Sequence, residues 1–274
     1  MILSACSFSF MQIAVKLSGG EIPIMEQVFV RNFFTLFIGC MMALREGACP
    51  FGKWKNQPAL LARGILGYLG VVMYFFASRN MMAADATLLH RSSPFFVAAF
   101  SCLFLRERFT KIHGLSFAVA AAGALCVIRP QFHSAVFPAV VGLLSAVCAG
   151  GAYTIISYLK GKENNGTIIF YFSLVSCVIT LPFMLMDFVL PDVFGLVMLL
   201  LIGVGASAGQ IFLTFAYKNA PAGEVSIYNF SGIICSSVLG FVILGETPDV
   251  LSFIGIGAII AAAVLMFVTN QKTK

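Results

Sequence analysis

Residues 79–107 read RNMMAADATLLHRSSPFFVAAFSCLFLRE, and residues 218–246 read KNAPAGEVSIYNFSGIICSSVLGFVILGE. The second stretch follows the pattern of the first at an offset of 139 residues, without a gap. The positions that correspond at this offset include Arg79-Asn80 with Lys218-Asn219, Asp85 with Glu224, Ser92 with Ser231, and Glu107 with Glu246. The correspondence predicts that the second half of the chain repeats the first half.

The composition is typical of a membrane protein. Of all residues 60% are apolar and 10% are charged, and the mean hydropathy is +0.98. A soluble domain carries about 25% charged residues. Long unbroken apolar runs favour membrane-spanning helices, which need about 20 apolar residues each, over a β-barrel. The sequence therefore predicts an all-α integral membrane protein, and the ten spans described next leave too little chain for an appended catalytic domain.

Polar breaks divide the chain into ten apolar segments. The predicted spans are residues 2–18, 24–44, 58–78, 84–105, 112–128, 137–159, 167–187, 194–217, 223–243 and 250–269. We interpret residues 1–274 as one transmembrane domain, with repeat one at 1–133 and repeat two at 134–274. Five spans per repeat is an odd number, so the two repeats have opposite orientations in the bilayer. Inverted repeats are typical of secondary transporters with a binding site near the midplane.

The basic residues predict the orientation of the chain, because Lys and Arg concentrate on the cytoplasmic side of membrane proteins. With the N-terminus inside, most of them fall on cytoplasmic ends and loops, Arg63 and Lys218 included, whereas Lys16, Arg79 and Arg129 fall outside. We therefore expect a multi-pass protein of the cell membrane with both termini in the cytoplasm. The first segment lacks the basic start and the cleavage site of a signal peptide, so we expect it to be retained.

Three segments resemble one known family. Residues 26–31, EQVFVR, place a glutamate and an arginine in the second span. Residues 84–108 combine a small-residue entry, the pair Ser93-Pro94 and a closing FLRER, and residues 223–246 are a second copy in which Ile233 replaces the proline. Together they are similar to the EamA-like ten-helix type of the drug/metabolite transporter superfamily, over essentially the whole chain. The resemblance implies two inverted five-helix bundles around a central cavity, with alternating access.

Arg91 is the most informative polar residue, because charge in mid-membrane is costly and marks a functional or paired group. It lies beside His90 and three residues before Pro94, which removes a backbone hydrogen bond and can kink the fourth span. One interpretation is that Arg91 binds a carboxylate or phosphate of the substrate with its planar fork. The other is that Arg91 pairs with an acid such as Glu26, or bonds to carbonyls exposed at the kink.

Three intramembrane residues, Glu26, Arg31 and Pro94, are assigned gating or structural roles. Glu26 and Arg31 are five residues apart, so on a helix they point to somewhat different faces. We interpret Arg31 as a residue that fixes helix packing, and a role in gating or substrate attraction is the alternative.

The substrate-binding candidates lie mid-span, and several are matched between the repeats. They are Gln12, Tyr74, His90, Arg91, Ser92, Ser93, Tyr153, Gln210, Tyr228 and Asn229. Asn229 corresponds to His90 at the offset given above. His90 could carry protons near neutral pH, or it could bridge two helices by a hydrogen bond. Each Tyr or Gln could face the cavity or bond to a neighbouring helix.

Motifs for other chemistry are missing from the sequence. The eight cysteines form no CxxC pair and are interpreted as small buried hydrophobic residues. The sequence contains no nucleotide-binding loop and no hydrolase or metalloprotease motif, so we expect no cofactor, no metal and no enzyme activity. Glycines at 64, 67 and 70 in the third span, and at 203, 205 and 209 in the eighth, predict close helix packing.

The sequence thus predicts a secondary active or facilitative transporter of a small polar or amphipathic metabolite. An amino-acid-like or nucleoside-like substrate that is anionic or zwitterionic is favoured, and it would bind in a midplane cavity by alternating access. A channel-like pore and an integral membrane enzyme are the alternatives. The expected partners are the small-molecule substrate, the lipid bilayer and, as an option, protons, with a monomer or a homodimer as the assembly. The net charge of +6 reflects the orientation bias and indicates no nucleic-acid partner.

Overall fold

Helices account for all regular structure in the residues that are described. The structure is a computed structural model, and it describes residues 1–18, 22–80, 83–107, 111–128, 136–244 and 250–272. The helices are α1 (Ile2–Leu17), α2 (Ile24–Arg45), α3 (Gln57–Asn80), α4 (Ala83–His90), α5 (Ser93–Phe100), α6 (Lys111–Ile128), α7 (Val136–Tyr158), α8 (Asn165–Met186), α9 (Val193–Asn219), α10 (Ala222–Ile227), α11 (Ser231–Leu244) and α12 (Val250–Lys272). The all-α prediction is therefore confirmed for this part of the chain.

The predicted spans correspond to helices. Within the described residues, seven helical segments are long and apolar enough to cross a membrane, and two of them, Thr87–Leu105 and Ala222–Ile243, each combine more than one helix. Three shorter apolar helices, Ile2–Leu17, Gly114–Cys126 and Phe253–Leu265, lie where the first, fifth and tenth spans are predicted. The chain is thus a multi-pass helical protein. The signals at Gly19-Gly20, Arg129 and Glu246 lie outside the described residues.

Two spans are interrupted at corresponding positions. The fourth span breaks into α4 and α5 at Arg91-Ser92, and the ninth breaks into α10 and α11 at the 3₁₀ turn Tyr228–Phe230. In the fourth span Pro94 lies in the first turn of α5, where a proline needs no N–H partner. The ninth span breaks without a proline, so a second cause acts there.

Both breaks also carry a serine hydroxyl bonded to a backbone carbonyl. Ser92 Oγ donates to the carbonyl of Leu89 at 2.5 Å, and Ser231 Oγ donates to the carbonyl of Tyr228 at 2.6 Å. Such bonds compete with the regular backbone hydrogen bonds of a helix. Ser145 makes the same bond to Gly142 within the uninterrupted α7, so the serine accompanies the two breaks at the 139-residue offset without being sufficient to cause them.

The helices pack in a few close pairs. The tightest are α2 with α8, α3 with α7, α6 with α12, and α1 with α9. Small residues make the close approach possible, since a Cβ at Gly39 of α2 would lie 2.7 Å from the backbone nitrogen of Phe170 in α8. In α9, Gly205 and Gly209 pack against Met11 and Phe8 of α1. The predicted use of glycines for close packing therefore holds at these contacts.

One end of the bundle, here called the Glu107 face, carries Met1, Glu107, Glu163 and Ala222. There the two carboxylate oxygens of Glu107 accept hydrogen bonds from the backbone N–H groups of Ala222, at 2.9 Å, and Gly223, at 3.0 Å. These N–H groups are the first of α10 and have no partner within the helix. Glu107 therefore joins the end of the fourth span to the start of the ninth.

Glu163 makes a second link on the Glu107 face. Its Oε1 accepts hydrogen bonds from the backbone N–H of Lys53 at 2.9 Å and from the side-chain amide of Asn56 at 2.6 Å. Lys218 Nζ donates to the carbonyl oxygen of Glu163 at 2.5 Å. The loop before α3, the loop before α8 and the end of α9 are thus held together at this face.

The interpretation of the cysteines as small buried hydrophobic residues is wrong at Cys49, which is exposed, and at Cys6 and Cys235, which are bonded to each other. Cys6 of α1 and Cys235 of α11 form a disulfide across 229 residues of sequence. Spacing in the sequence cannot reveal such a pair, because the two cysteines are brought together only when α11 packs against α1.

Candidate functional site

Arg91 lies between the two helix breaks. Its backbone N–H ends α4 by donating to the carbonyl of Thr87 at 2.9 Å, and its Nη1 reaches the carbonyl of Asn229 in the other break at 3.4 Å. Gly232 lies against the guanidinium, since a Cβ there would be 2.5 Å from Nη1. The Nε of Arg91 is buried and makes no hydrogen bond. Arg91 therefore spans the two halves of the chain while part of its donor capacity is unused.

His90 and Tyr74 pack beside Arg91. The ring of His90 lies 4.6 Å from the ring of Tyr74, centroid to centroid, and its Nδ1 is 3.0 Å from Ser145 Oγ. Tyr74 Oη is 3.2 Å from Thr87 Oγ1. His90 thus bridges α4 and α7 by a hydrogen bond, which is one of its two predicted roles. Proton transfer by His90 stays a prediction.

Tyr153 of α7 is the centre of the polar site. Its ring stacks on that of Tyr217 in α9, with centroids 5.3 Å apart. The Tyr153 phenol lies close enough to Arg31, Arg63 and Arg91 to interact electrostatically with all three guanidinium groups. We call Arg31, Arg63 and Arg91 the arginine cluster. Its members come from α2, α3 and the α4–α5 break, and all three interact electrostatically with Tyr153.

The arginine cluster has no acidic partner among the described residues. Nε atoms of Arg31, Arg63 and Arg91 are all buried without a hydrogen bond. Glu26, which was considered as a partner for Arg91, instead accepts a hydrogen bond from the backbone N–H of Val189 at 3.4 Å. Burying charges without counter-charges costs several kcal/mol per group. The arrangement is suited to an anion that enters from outside the chain.

Arg63 is a site residue that the sequence did not identify. It lies near the start of α3, is 1% exposed, and its guanidinium lies 4.3 Å from the centroid of the Phe172 ring. A Cβ on Gly67 would collide with Arg63 Nη1, so Gly67 provides the space for this side chain. The sequence placed Arg63 with the basic residues of the cytoplasmic side, and that placement stays a prediction. The glycine one turn later was the available signal that the arginine folds back against its own helix.

Tyr217 is a second residue that the sequence analysis missed. It is fully buried, and its hydroxyl has no hydrogen-bond partner. Its carbonyl accepts a hydrogen bond from Ser157 Oγ of α7 at 2.8 Å, close to the stacked Tyr153. A tyrosine next to Lys218 at a helix end gave no pattern from which this position could be inferred.

Other predicted residues do not join the cluster through the contacts seen. Gln210 is buried within α9 and its side chain reaches Thr214 of the same helix at 3.5 Å. The Ser92 hydroxyl is used at the helix break, and Ser93 is 1% exposed. Gln12 is half-buried on α1. The structure thus brings together Tyr74, His90, Arg91, Tyr153 and the Asn229 carbonyl, with Arg31 added from the residues assigned to gating or packing.

A surface pocket opens on the Glu107 face, apart from the arginine cluster. It has a volume of about 380 Å³, and it is lined by Met1, Ile2, Leu3, Ala216, Asn219, Ala220, Val225 and Tyr228. Tyr228 is a predicted site residue, and it follows directly on α10. The pocket carries little charge, so we place the recognition of an anion at the cluster and not here.

Comparison with known proteins identifies the family of the chain and a solved structure with the same fold. The model of the EamA-like transporter family matches the chain twice, at residues 1–129 and 136–268. The chain belongs to the EamA-like transporter family. A protein of known crystal structure superposes with a TM-score of 0.84 at 14% identity, over 100% of this chain and 97% of that one, which shows a shared fold.

Several relatives are transporters by name. A pseudopaline exporter of Pseudomonas aeruginosa is 37% identical over 99% of this chain and 95% of its own length. The S-adenosylmethionine uptake transporter of Rickettsia felis is 23% identical over 99% of this chain, and human solute carrier family 35 member G1 is 26% identical over 90%. The family and the relatives point to transport of small molecules across a membrane and away from enzyme activity.

Proposed function

We propose that this EamA-like protein exports a small anionic or zwitterionic metabolite by alternating access, with the arginine cluster as its binding site. Arg91 binds a carboxylate of the substrate, and Tyr74, Tyr153 and the Asn229 carbonyl border the same space. The observation that carries the proposal is the cluster itself, three arginines around one phenol without an acidic partner in the described residues. Partial exposure of Arg31, Arg91 and Tyr153 gives a ligand access to the cluster.

Two inverted five-helix repeats, at 1–133 and 134–274, form part of the proposal. The packing of the helices supports the two repeats. If each span is exchanged with its counterpart five places away in the other repeat, the set of observed helix pairs stays the same. The third span packs on the sixth (α3 with α7), and correspondingly the eighth packs on the first (α9 with α1). The second span packs on the seventh (α2 with α8) and the fifth on the tenth (α6 with α12), and both pairs map onto themselves. The two matches of the family model divide the chain at the same place.

The 37% identity to a pseudopaline exporter over nearly the whole chain supports export and makes pseudopaline the first substrate to test. By the basic-residue bias, both termini lie in the cytoplasm and the Glu107 face is the cytoplasmic face. In the proposed cycle, this structure, with Glu107 and Glu163 bonded across the halves, is a state closed on that face.

A transport assay tests the proposal. The purified protein, in vesicles loaded with pseudopaline, is expected to release it with saturable kinetics, and Arg91→Gln is expected to abolish the saturable component. Arg45→Gln is the matched control, because Arg45 is exposed at the end of α2. If Arg91→Gln does not fold, Arg91→Lys replaces it, since lysine keeps the charge and loses the bidentate fork. Release that rises linearly with concentration and is equal in all variants would show a pore and overturn the proposal.

A further inference from the structure

We propose that Arg31 and Arg63 form a second anion-binding subsite, distinct from Arg91, so that the transported molecule carries at least two anionic groups. This inference rests on the proposed function and deepens it. It follows from three features of the cluster: the burial of Arg63, the different elements that hold the arginines, and the lack of an acidic partner among the described residues.

Arg63 is held in place by its surroundings. Its guanidinium packs on the face of Phe172 of α8, and it makes no hydrogen bond through Nε or Nη1, both of which are buried. A cation on a phenylalanine ring is attracted by the ring but gains no hydrogen bond from it. At 1% exposure the side chain has no access to bulk water that would satisfy these donors. The cation–π contact therefore positions the charge and leaves its hydrogen-bonding capacity free.

Arg31 provides the accessible part of the same subsite. It comes from α2, keeps partial exposure, and has a buried Nε without a partner. Arg63 and Arg31 lie close enough to interact with each other electrostatically, and both interact with Tyr153. Two guanidinium groups that repel each other are brought together at one place. An anion bound between Arg31 and Arg63 would attract both guanidinium groups and so offset their mutual repulsion.

The two subsites arise from different parts of the fold. Arg91 lies at the α4–α5 break and bonds to the Asn229 carbonyl at the α10–α11 break. The pair Arg31–Arg63 is held by α2, α3 and α8. Tyr153 of α7 interacts electrostatically with all three arginines. A carboxylate held in a bidentate contact by Arg91 leaves Arg31 and Arg63 without an anion, whereas a molecule with two carboxylates supplies one to each subsite.

Binding measurements with simple acids test the second subsite. The melting temperature of the purified protein is measured against the concentration of glutarate, butyrate and sulfate, because a ligand that binds the folded state raises it by mass action. We expect glutarate to bind wild type about tenfold to a hundredfold more tightly than butyrate, the range that one charge-assisted contact gives. In Arg63→Gln and in Arg31→Gln this ratio should fall to about one, while butyrate binding is retained.

The variants separate the second subsite from the first. Arg91→Gln should weaken glutarate and butyrate alike, and Arg45→Gln should leave both unchanged. If Arg63→Gln fails to fold, Gly67→Ala moves the same guanidinium without removing it and should lower the same ratio.

Three results would overturn the inference in distinguishable ways. Equal affinities of the wild type for glutarate and butyrate would refute the second subsite. Saturable release of pseudopaline by the same protein would then still support the proposed function. Equal stabilisation by sulfate and glutarate would show that the cluster responds to the charge of the ligand and does not bind two separate carboxylates. No stabilisation by any acid, together with no saturable release, would refute the proposed function itself.

Discussion

Replacement of Glu107 by glutamine is expected to loosen the Glu107 face selectively. In the wild type both carboxylate oxygens accept from the first N–H groups of α10, those of Ala222 at 2.9 Å and Gly223 at 3.0 Å. Hydrogen bonds to a charged group contribute about 1.5–3 kcal/mol each. Glutamine keeps one acceptor oxygen and loses both the charge and the second oxygen. The change should therefore cost at least one such bond, about 1.5–3 kcal/mol.

This cost has a local readout in amide hydrogen exchange. If the face opens more often, the N–H groups of Ala222 and Gly223 exchange from the open form in proportion to its population. A cost of 1.4 kcal/mol corresponds to about a tenfold change in population, so exchange of a peptide covering α10 should accelerate about tenfold to a hundredfold. Mass spectrometry of the detergent-purified protein measures this rate.

Glu224→Gln is the matched control for Glu107→Gln. Glu224 lies in the first turn of the same helix, α10, so its replacement also removes a negative charge near the helix N-terminus. It accepts neither of the two backbone hydrogen bonds that Glu107 makes. Equal acceleration in both variants would mean that the helix dipole and not the two hydrogen bonds protects α10. No acceleration in Glu107→Gln would refute the reasoning.

Three further predictions have definite expected outcomes. Gly232→Ala places a Cβ 2.5 Å from Arg91 Nη1 and should weaken anion binding about tenfold in the melting-temperature assay, whereas Gly257→Ala, with open space around it, should not. Tyr217→Phe removes a buried hydroxyl without a partner, so the melting temperature should stay equal or rise, and a clear fall would contradict the assignment. Ser231→Ala removes the hydrogen bond to the Tyr228 carbonyl and should lower stability by about 1 kcal/mol, as should Ser92→Ala, measured by denaturant titration.

The sequence was sufficient for the helices and for an interruption of the fourth span near Pro94. Apolar runs of membrane length predict a helix regardless of its neighbours, because backbone groups in lipid must bond within the helix. The 139-residue repeat placed Ser231 opposite Ser92, and the structure shows the same hydroxyl-to-carbonyl bond at both. The break in the ninth span could not be predicted, because Ile233 stands where the fourth span has Pro94.

The arginine cluster could be predicted only in part. Arg91 and Tyr153 were candidates because they lie mid-span, and the structure places both at the cluster. Arg63 was missed because it lies two turns from the start of α3, where a long side chain reaches water as readily as the interior. Its direction is decided by Phe172 on α8 and by the absence of a side chain at Gly67. Both are tertiary contacts, so sequence position alone could not separate a cytoplasmic arginine from a buried one.

The arginine cluster and the proposed closure of the Glu107 face can be connected energetically. A ligand shifts a conformational equilibrium only by its difference in affinity between the two states. Opening the Glu107 face breaks the Glu107 bonds, at about 1.5–3 kcal/mol each, and the contacts of Glu163 with Lys53 and Asn56. An anion that binds more tightly when the arginines converge could offset that cost only if opening the face also brings them closer. If the arginines separate on opening, the same anion holds the face closed. Hydrogen exchange of α10 with and without glutarate decides between the two, because the first case accelerates exchange and the second slows it.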